Sequence, residues 1–133
     1  MNRTKKLPNI LVVDDEPVIL ETFKAIFDSH FCLLTAASAK EALEKIAQNS
    51  IGLVFLDINI PDANGIEIIR RIKEYNQDLP IIVVTASGST DIAVEAQRLG
   101  VHGYIVKPFN VGEVVAAAQK IMEREKVMKQ EAN

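Results

Sequence analysis

The sequence predicts an α/β domain: a doubly wound, five-stranded parallel sheet with five helices on its two faces. Three observations predict it. Five short apolar runs recur at Ile10–Val13, Phe31–Leu34, Leu53–Leu56, Ile81–Val84 and Tyr104–Val106, and three are rich in Val and Ile, the composition of strands covered on both sides. Between them, apolar residues fall three and four apart, the period of an amphipathic helix. Every gap exceeds the dozen or so residues that a crossover between parallel strands needs.

The elements follow in order. The first strand ends in Asp14-Asp15-Glu16, and Leu20, Phe23, Ile26 and Phe27 mark the helix after it, with Pro17 suited to its first turn. The second run, Phe31-Cys32-Leu33-Leu34-Thr35, is the weakest strand and is placed at an edge of the sheet. Ser38-Ala39-Lys40-Glu41 has the form of a capping box and opens a helix carrying Leu43, Ile46 and Ala47. The third strand is closed by Asp57 and leads through Ile58-Asn59-Ile60-Pro61 to a helix with Ile66, Ile69 and Ile72, headed by Asn64 with Glu67 three residues on. The fourth strand ends at Thr85; its helix starts near Thr90, carries Ile92, Ala96 and Leu99, and stops at Gly100. The fifth ends in Lys107-Pro108 and precedes a helix headed by Asn110 and Glu113, with Val111, Val114, Val115, Ala118 and Ile121 on one side.

From Glu123 the chain turns polar, so the last helix is expected to run on into solvent. The chain therefore divides into a basic tail (1–7, with Arg3, Lys5 and Lys6), a domain (8–122) and a charged helical extension or linker (123–133). Val114, Ile121 and Met128 fall seven apart, a spacing too brief to define a coiled coil.

Composition bounds the class of function. A chain of 133 residues builds one core without disulfides, and its single cysteine, Cys32, fits a reducing, cytoplasmic setting. No apolar run approaches the ~20 residues of a membrane span. The net charge of -3 gives no footprint for nucleic acid. No Gly-rich loop follows the first strand, which excludes a dinucleotide-binding domain.

What closes each strand points to chemistry. In a parallel sheet the C-terminal strand ends share one edge, where ligands bind. Four of the five ends carry complementary groups: Asp14, Asp15 and Glu16; Asp57; Thr85; Lys107. Singly, each has a plain structural explanation, such as turn chemistry for Asp57 or a helix-leading acid for Asp14. Jointly they describe a site. Three carboxylates converging there repel one another by several kcal/mol, roughly 3 per pair at 5 Å, and a cation relieves this. The donors are all oxygens, since His30 and His102 fall away from the strand ends. Such a set selects Mg²⁺, or Mn²⁺, over zinc. With the cation at Asp14, Asp15 and Asp57, the site suits phosphoryl transfer, with the Asp57 carboxylate as nucleophile and a labile aspartyl phosphate as product.

The motifs Val12-Val13-Asp14-Asp15-Glu16, Leu56-Asp57-Ile58-Asn59-Ile60-Pro61 with Gly65, Val84-Thr85-Ala86 and Tyr104-Ile105-Val106-Lys107-Pro108-Phe109 are, together, those of a known family. From Pro8 to Met122 the chain resembles the receiver domains of two-component response regulators. The resemblance implies a flavodoxin-like strand order, 2-1-3-4-5. It implies that Asp57 accepts phosphate from the phosphohistidine of a sensor histidine kinase or phosphotransfer protein. Asp15 and Asp57 would bind Mg²⁺ directly with the backbone carbonyl of Asn59, and Asp14 largely through water. Lys107 would pair with the phosphate and Thr85 would donate its hydroxyl to it. Thr85 would move toward the phosphate and Tyr104 turn inward, remodelling the face of the fourth helix, fifth strand and fifth helix for an output domain or partner, a homodimer included. Lys107-Pro108 would be a cis bond. Such a domain promotes only its own phosphorylation and dephosphorylation, without a separate substrate.

Departures from the family pattern are mild: Ser38 stands where many relatives have Gly, and Asn59 and Ser87 occupy variable positions linked to phosphoryl-group lifetime. Two rival readings stand beside this one. A haloacid-dehalogenase-type phosphatase needs a second Asp two residues after the nucleophile, where this chain has Asn59. A phosphorylation-independent interaction module would have no use for the intact set Asp14, Asp15, Asp57, Thr85 and Lys107. The chain is expected to be either a stand-alone regulator or the receiver piece of a longer one.

Overall fold

A computed structural model describes residues 9–27, 32–86 and 89–132, with side chains as far as residue 124. The expected basic tail, Phe31, His30, Ser87 and the Met128 side chain lie outside the described residues. Strands and helices alternate without interruption: β1 (Asn9–Val13), α1 (Pro17–Phe27), β2 (Cys32–Ala36), α2 (Ala39–Gln48), β3 (Ile51–Leu56), α3 (Gly65–Tyr75), β4 (Ile81–Thr85), α4 (Thr90–Arg98), β5 (Gly103–Val106) and α5 (Val111–Ala132). The five strands form one parallel sheet in the order β2-β1-β3-β4-β5, the doubly wound arrangement that the alternation and the family resemblance led us to expect.

The strands read as unbroken apolar runs because each face of the sheet is covered by helices. Alternate residues serve opposite cores. Leu11, Val13, Val54, Leu56, Ile81 and Val83 pack with Ala42 and Ile46 of α2, Ile68, Ile69 and Ile72 of α3, and Ala96 of α4. Their neighbours Ile10, Val12, Leu53, Phe55, Ile82 and Val84 pack with Phe23 and Phe27 of α1 and with Val114, Ala118 and Ile121 of α5. Phe23 centres an aromatic group, with ring centroids 5.0 Å from Phe55 and 5.6 Å from Phe109. Each such buried ring or aliphatic chain contributes about 1.5–3 kcal/mol relative to exposure.

β2 is an edge strand, as expected, and pairs with β1 alone among the strands. Its end differs by one residue: the ladder continues past Thr35, opposite Val12, to Ala36, opposite Val13. An apolar run stops being visible at a polar residue, whereas backbone pairing does not.

Helix starts agree in place and differ in wiring. At α5 the box is reciprocal: Asn110 Oδ1 accepts from the Glu113 amide at 2.9 Å and Glu113 Oε1 from the Asn110 amide at 3.2 Å. At α2, Ser38 Oγ accepts from the Glu41 amide, but Glu41 takes the amide of Ala37 in place of that of Ser38. Asp62, from the distant β3–α3 loop, takes the next two amides, Ala39 (2.8 Å) and Lys40 (3.2 Å). At α3, Asn64 accepts from Ile66, while Glu67 pairs with Arg70 and Arg71. Ser89 caps α4, and Gly100 after it adopts φ 95°, the left-handed conformation that favours glycine. No helix among the described residues is long and apolar enough to cross a membrane.

Candidate functional site

The strand register brings the expected groups to one rim. Val13 lies opposite Leu56, so the residues after them, Asp14 and Asp57, emerge side by side from β1 and β3. The ladder is extended by one bond at each: Asp14 N–H donates to Ala36 O (3.0 Å) and Asp57 N–H to Val13 O (2.9 Å). On the other side Thr85 pairs with Val106, and the Lys107 amide donates to Thr85 O at 2.9 Å. The Lys107–Pro108 peptide bond is cis.

Lys107 sits at the centre of the rim. Its Nζ donates to Asp14 Oδ2 (2.7 Å), Asp57 Oδ2 (3.0 Å) and Glu16 Oε1 (3.0 Å). The remaining oxygens of the two aspartates are held from below. Asp14 Oδ1 accepts from the Glu16 amide and Asp57 Oδ1 from the Asn59 amide, each at 2.9 Å. Both carboxylates are therefore fixed by a short turn of their own chain, one oxygen turned in and one turned to the rim. Their exposures are 2% and 5%, so water contributes little to holding their charge.

Burial pushes the Asp14 carboxyl above its ordinary pKa, and Lys107 and the Glu16 amide pull it back only in part. Burial also disfavours the Lys107 ammonium, but its hydrogen bonds to Asp14, Glu16 and Asp57 outweigh that and hold its pKa above the usual lysine range. Three carboxylates against one ammonium leave two negative charges uncompensated.

The acids brought together differ from those expected in one member. Ligand oxygens of Asp14, Glu16 and Asp57 all lie within 4.8 Å of one another, while Asp15 is exposed and is not among them. The turn that carries the Glu16 amide onto Asp14 faces Asp15 outward and returns Glu16 over Lys107. Within the run Asp14-Asp15-Glu16, Asp14 and Glu16 are the acids that meet Lys107. An all-oxygen set with a net double negative charge fits a hard divalent cation.

Thr85 is fully buried, and Asn59 Nδ2 donates to its Oγ1 at 3.0 Å. Asn59 was expected to act through its backbone carbonyl; the bond from its side chain to Thr85 was not anticipated. Tyr104, opposite Val83 in the sheet, is half-buried beside α4, where it lines a hollow of about 150 Å³ with Ala93, Gln97 and Val101. Burial holds its hydroxyl above the ordinary pKa of tyrosine.

Known proteins resemble this chain in sequence and in fold. Residues 10–119 match the family model of the response regulator receiver domain. The chain is 32% identical over 118 residues to the transcriptional regulatory protein PrrA of Mycobacterium bovis, spanning 88% of this chain and 51% of that protein. It thus covers about half the length of that relative. It is 32% identical over 114 residues to sporulation initiation phosphotransferase F of Bacillus subtilis, 85% of this chain and 92% of that one. The crystal structure of a CheY-like receiver domain protein from Methanospirillum hungatei superposes with a TM-score of 0.85 at 32% identity, over 91% of this chain and 98% of the other. On its sheet order, its motifs and these matches, the chain belongs to the receiver domain family of two-component response regulators, a signalling module.

Proposed function

We propose that Asp57 accepts a phosphoryl group from the phosphohistidine of a sensor histidine kinase or phosphotransfer protein. In that step the bond from Asp57 Oδ2 to phosphorus forms as the P–N bond breaks, and the imidazole leaves with the electron pair. The observation that carries this reading is Asp57 itself, almost fully buried, with one oxygen held by the Asn59 amide and the other presented at the rim to Lys107. A carboxylate so held is aimed at the rim and needs no general base to attack. Lys107 neutralises charge on the transferring group.

Asp14, Asp15, Asp57 and the Asn59 carbonyl are the groups that would hold Mg²⁺, or Mn²⁺. A bound divalent ion would supply charge neutralisation for the phosphoryl oxygens. The exposed Asp15 and Glu16 compete for a place in that set, and titration decides between them. Asp14→Asn is expected to weaken Mg²⁺ binding by about tenfold or more. A comparable loss in Asp15→Asn, with none in Glu16→Gln, assigns the ligand to Asp15; the reverse assigns it to Glu16. Binding unchanged in all three, followed by amide chemical shifts, rejects the metal site.

Phosphorylated Asp57 would draw the Thr85 hydroxyl, and Tyr104 would follow into the space vacated. The surface so changed is formed by α4, β5 and α5, where Val94, Val106 and Val111 are exposed at 49%, 46% and 54%. An output domain, a partner or a second copy would read that surface, with residues 8–122 as the receiver and 123–133 as the linker from it. The setting is cytoplasmic on this reading.

The deciding experiment is labelling with a small acyl-phosphate donor. The unaltered chain is expected to gain an acid-stable, base-labile phosphoryl group, and Asp57→Asn to gain none. Full labelling of that variant would place the acceptor elsewhere.

A further inference from the structure

One residue touches both the phosphoacceptor and the switch hydroxyl. The Asn59 amide donates to Asp57 Oδ1 at 2.9 Å, and Asn59 Nδ2 donates to Thr85 Oγ1 at 3.0 Å. We propose that the Asn59 carboxamide is a positioning group that latches Thr85 in its resting place, and that phosphorylation acts by offering the hydroxyl a stronger partner. This rests on the proposed roles of Asp57 and Thr85.

The two ends of the bond stand in different surroundings. Asn59 is exposed and lines an open hollow of about 250 Å³ with Ala63, Gly65, Ile66 and, from α4, Ile92. A carboxamide released there is met by water at little cost. Thr85 has no exposure at all. A buried hydroxyl that gives up a partner is destabilised until another group replaces it. A phosphoryl group on Asp57 brings about one to two negative charges and acceptor oxygens, and hydrogen bonds to ionised acceptors are roughly twice as strong as neutral ones. The amide donates to the hydroxyl oxygen whereas a phosphoryl oxygen would accept the hydroxyl hydrogen, so the two compete through the position of Oγ1: drawing it away from Asn59 is uphill before modification and downhill after it.

A contact made in only one of two states biases the equilibrium toward that state. The Asn59–Thr85 bond therefore suppresses activation in the absence of phosphate. It also couples the β3–α3 loop to β4 directly, without passing through the core.

The test compares the unaltered chain, Asn59→Ala, Thr85→Ala and the double variant by amide chemical shifts of α4 and β5, with and without beryllofluoride and Mg²⁺ as the phosphoryl mimic. Unmodified Asn59→Ala is expected to lie further along the line toward the saturated state, with an active population about 3- to 10-fold higher. Its thermal midpoint should fall by only a few degrees, the loss of one hydrogen bond to a buried hydroxyl, with the fold retained. Adding Asn59→Ala to Thr85→Ala should change nothing further. An unmoved resting population in Asn59→Ala, with Thr85→Ala still blunted, overturns the latch and spares the switch. An equal shift in both backgrounds overturns it too, since the effect would not pass through the hydroxyl. A Thr85→Ala protein that responds fully to beryllofluoride overturns the switch and the latch together.

Discussion

Replacing Lys107 with Met is expected to destabilise the folded chain by about 3–5 kcal/mol near pH 7, the loss typical when one member of a buried ionic group is removed. The substitution keeps the length of the side chain and deletes the ammonium that stands 2.7 Å from Asp14 and 3.0 Å from Asp57. Both acids are buried, so neither can turn to water for its charge. Glu16, with a side chain 62% exposed, can, and its lost pair adds little.

The sign of the pH dependence separates this explanation from loss of packing. In the unaltered chain Lys107 titrates above the ordinary lysine range. Its contribution is complete below about pH 10 and is lost only as pH rises through the folded value. In the variant the burden moves to the acids. Burial already raises the pKa of Asp14, and without the cation it rises further. A carboxyl raised above its unfolded value of about 3.9 stabilises the fold below that pH and loses the contribution as pH rises through the folded pKa. The gap between variant and parent should therefore be small in acid and widen toward neutrality. Mg²⁺ should narrow it, because a ligand stabilises the folded chain according to its affinity. The variant's acids, without the ammonium on Asp14 and Asp57, should bind a cation more tightly than the parent's. Denaturant midpoints across this pH range, with and without Mg²⁺, measure both effects. Equal stability at neutral pH, or a gap that grows toward acid, would contradict the electrostatic account.

Gly65→Ala should be nearly as damaging, by a steric route that reaches the site. Gly65 opens α3 against the residue that follows Asp57. A Cβ there would overlap the Cβ and Cα of Ile58 and lie 2.5 Å from its carbonyl oxygen. The obstruction includes backbone, so no rotamer change relieves it. Overpacking of this kind costs about 1–3 kcal/mol, and the upper end is expected because Ile58 is itself 6% exposed and cannot swing out. Relief must come from the β3–α3 loop, which carries Asp57 on one side and Asn59 on the other. A shift of ~1 Å in positioned groups can reduce a rate about 100-fold, so acyl-phosphate labelling should slow by that order even in the folded fraction. Unchanged stability and unchanged labelling would show that the helix start moves freely.

Much of this molecule is legible in its residues alone. Strand, helix and their alternation follow from the periods of apolar side chains, which local geometry imposes whatever the partner. Parallel pairing follows from connections too long for hairpins. That four strand ends carry Asp14, Asp57, Thr85 and Lys107 is also plain, because parallel strands share one C-terminal edge. The capping of α5 by Asn110 and Glu113 involves neighbours only, and it reads directly.

Tertiary structure decided the rest, wherever a side chain's direction depends on a turn or on a distant group. Asp15 and Glu16 are adjacent acids with the same chemistry; the turn fastened by the Glu16 amide on Asp14 sets which of them faces Lys107. Glu41 meets Ala37, and Asp62 reaches across 23 positions to the Ala39 amide, because free backbone donors take the acceptor that packing brings near. The Asn59–Thr85 bond spans 26 positions and exists only because β3 and β4 are neighbours in the sheet. Periodicity is a property of the chain, whereas a hydrogen bond between remote side chains is a property of the fold.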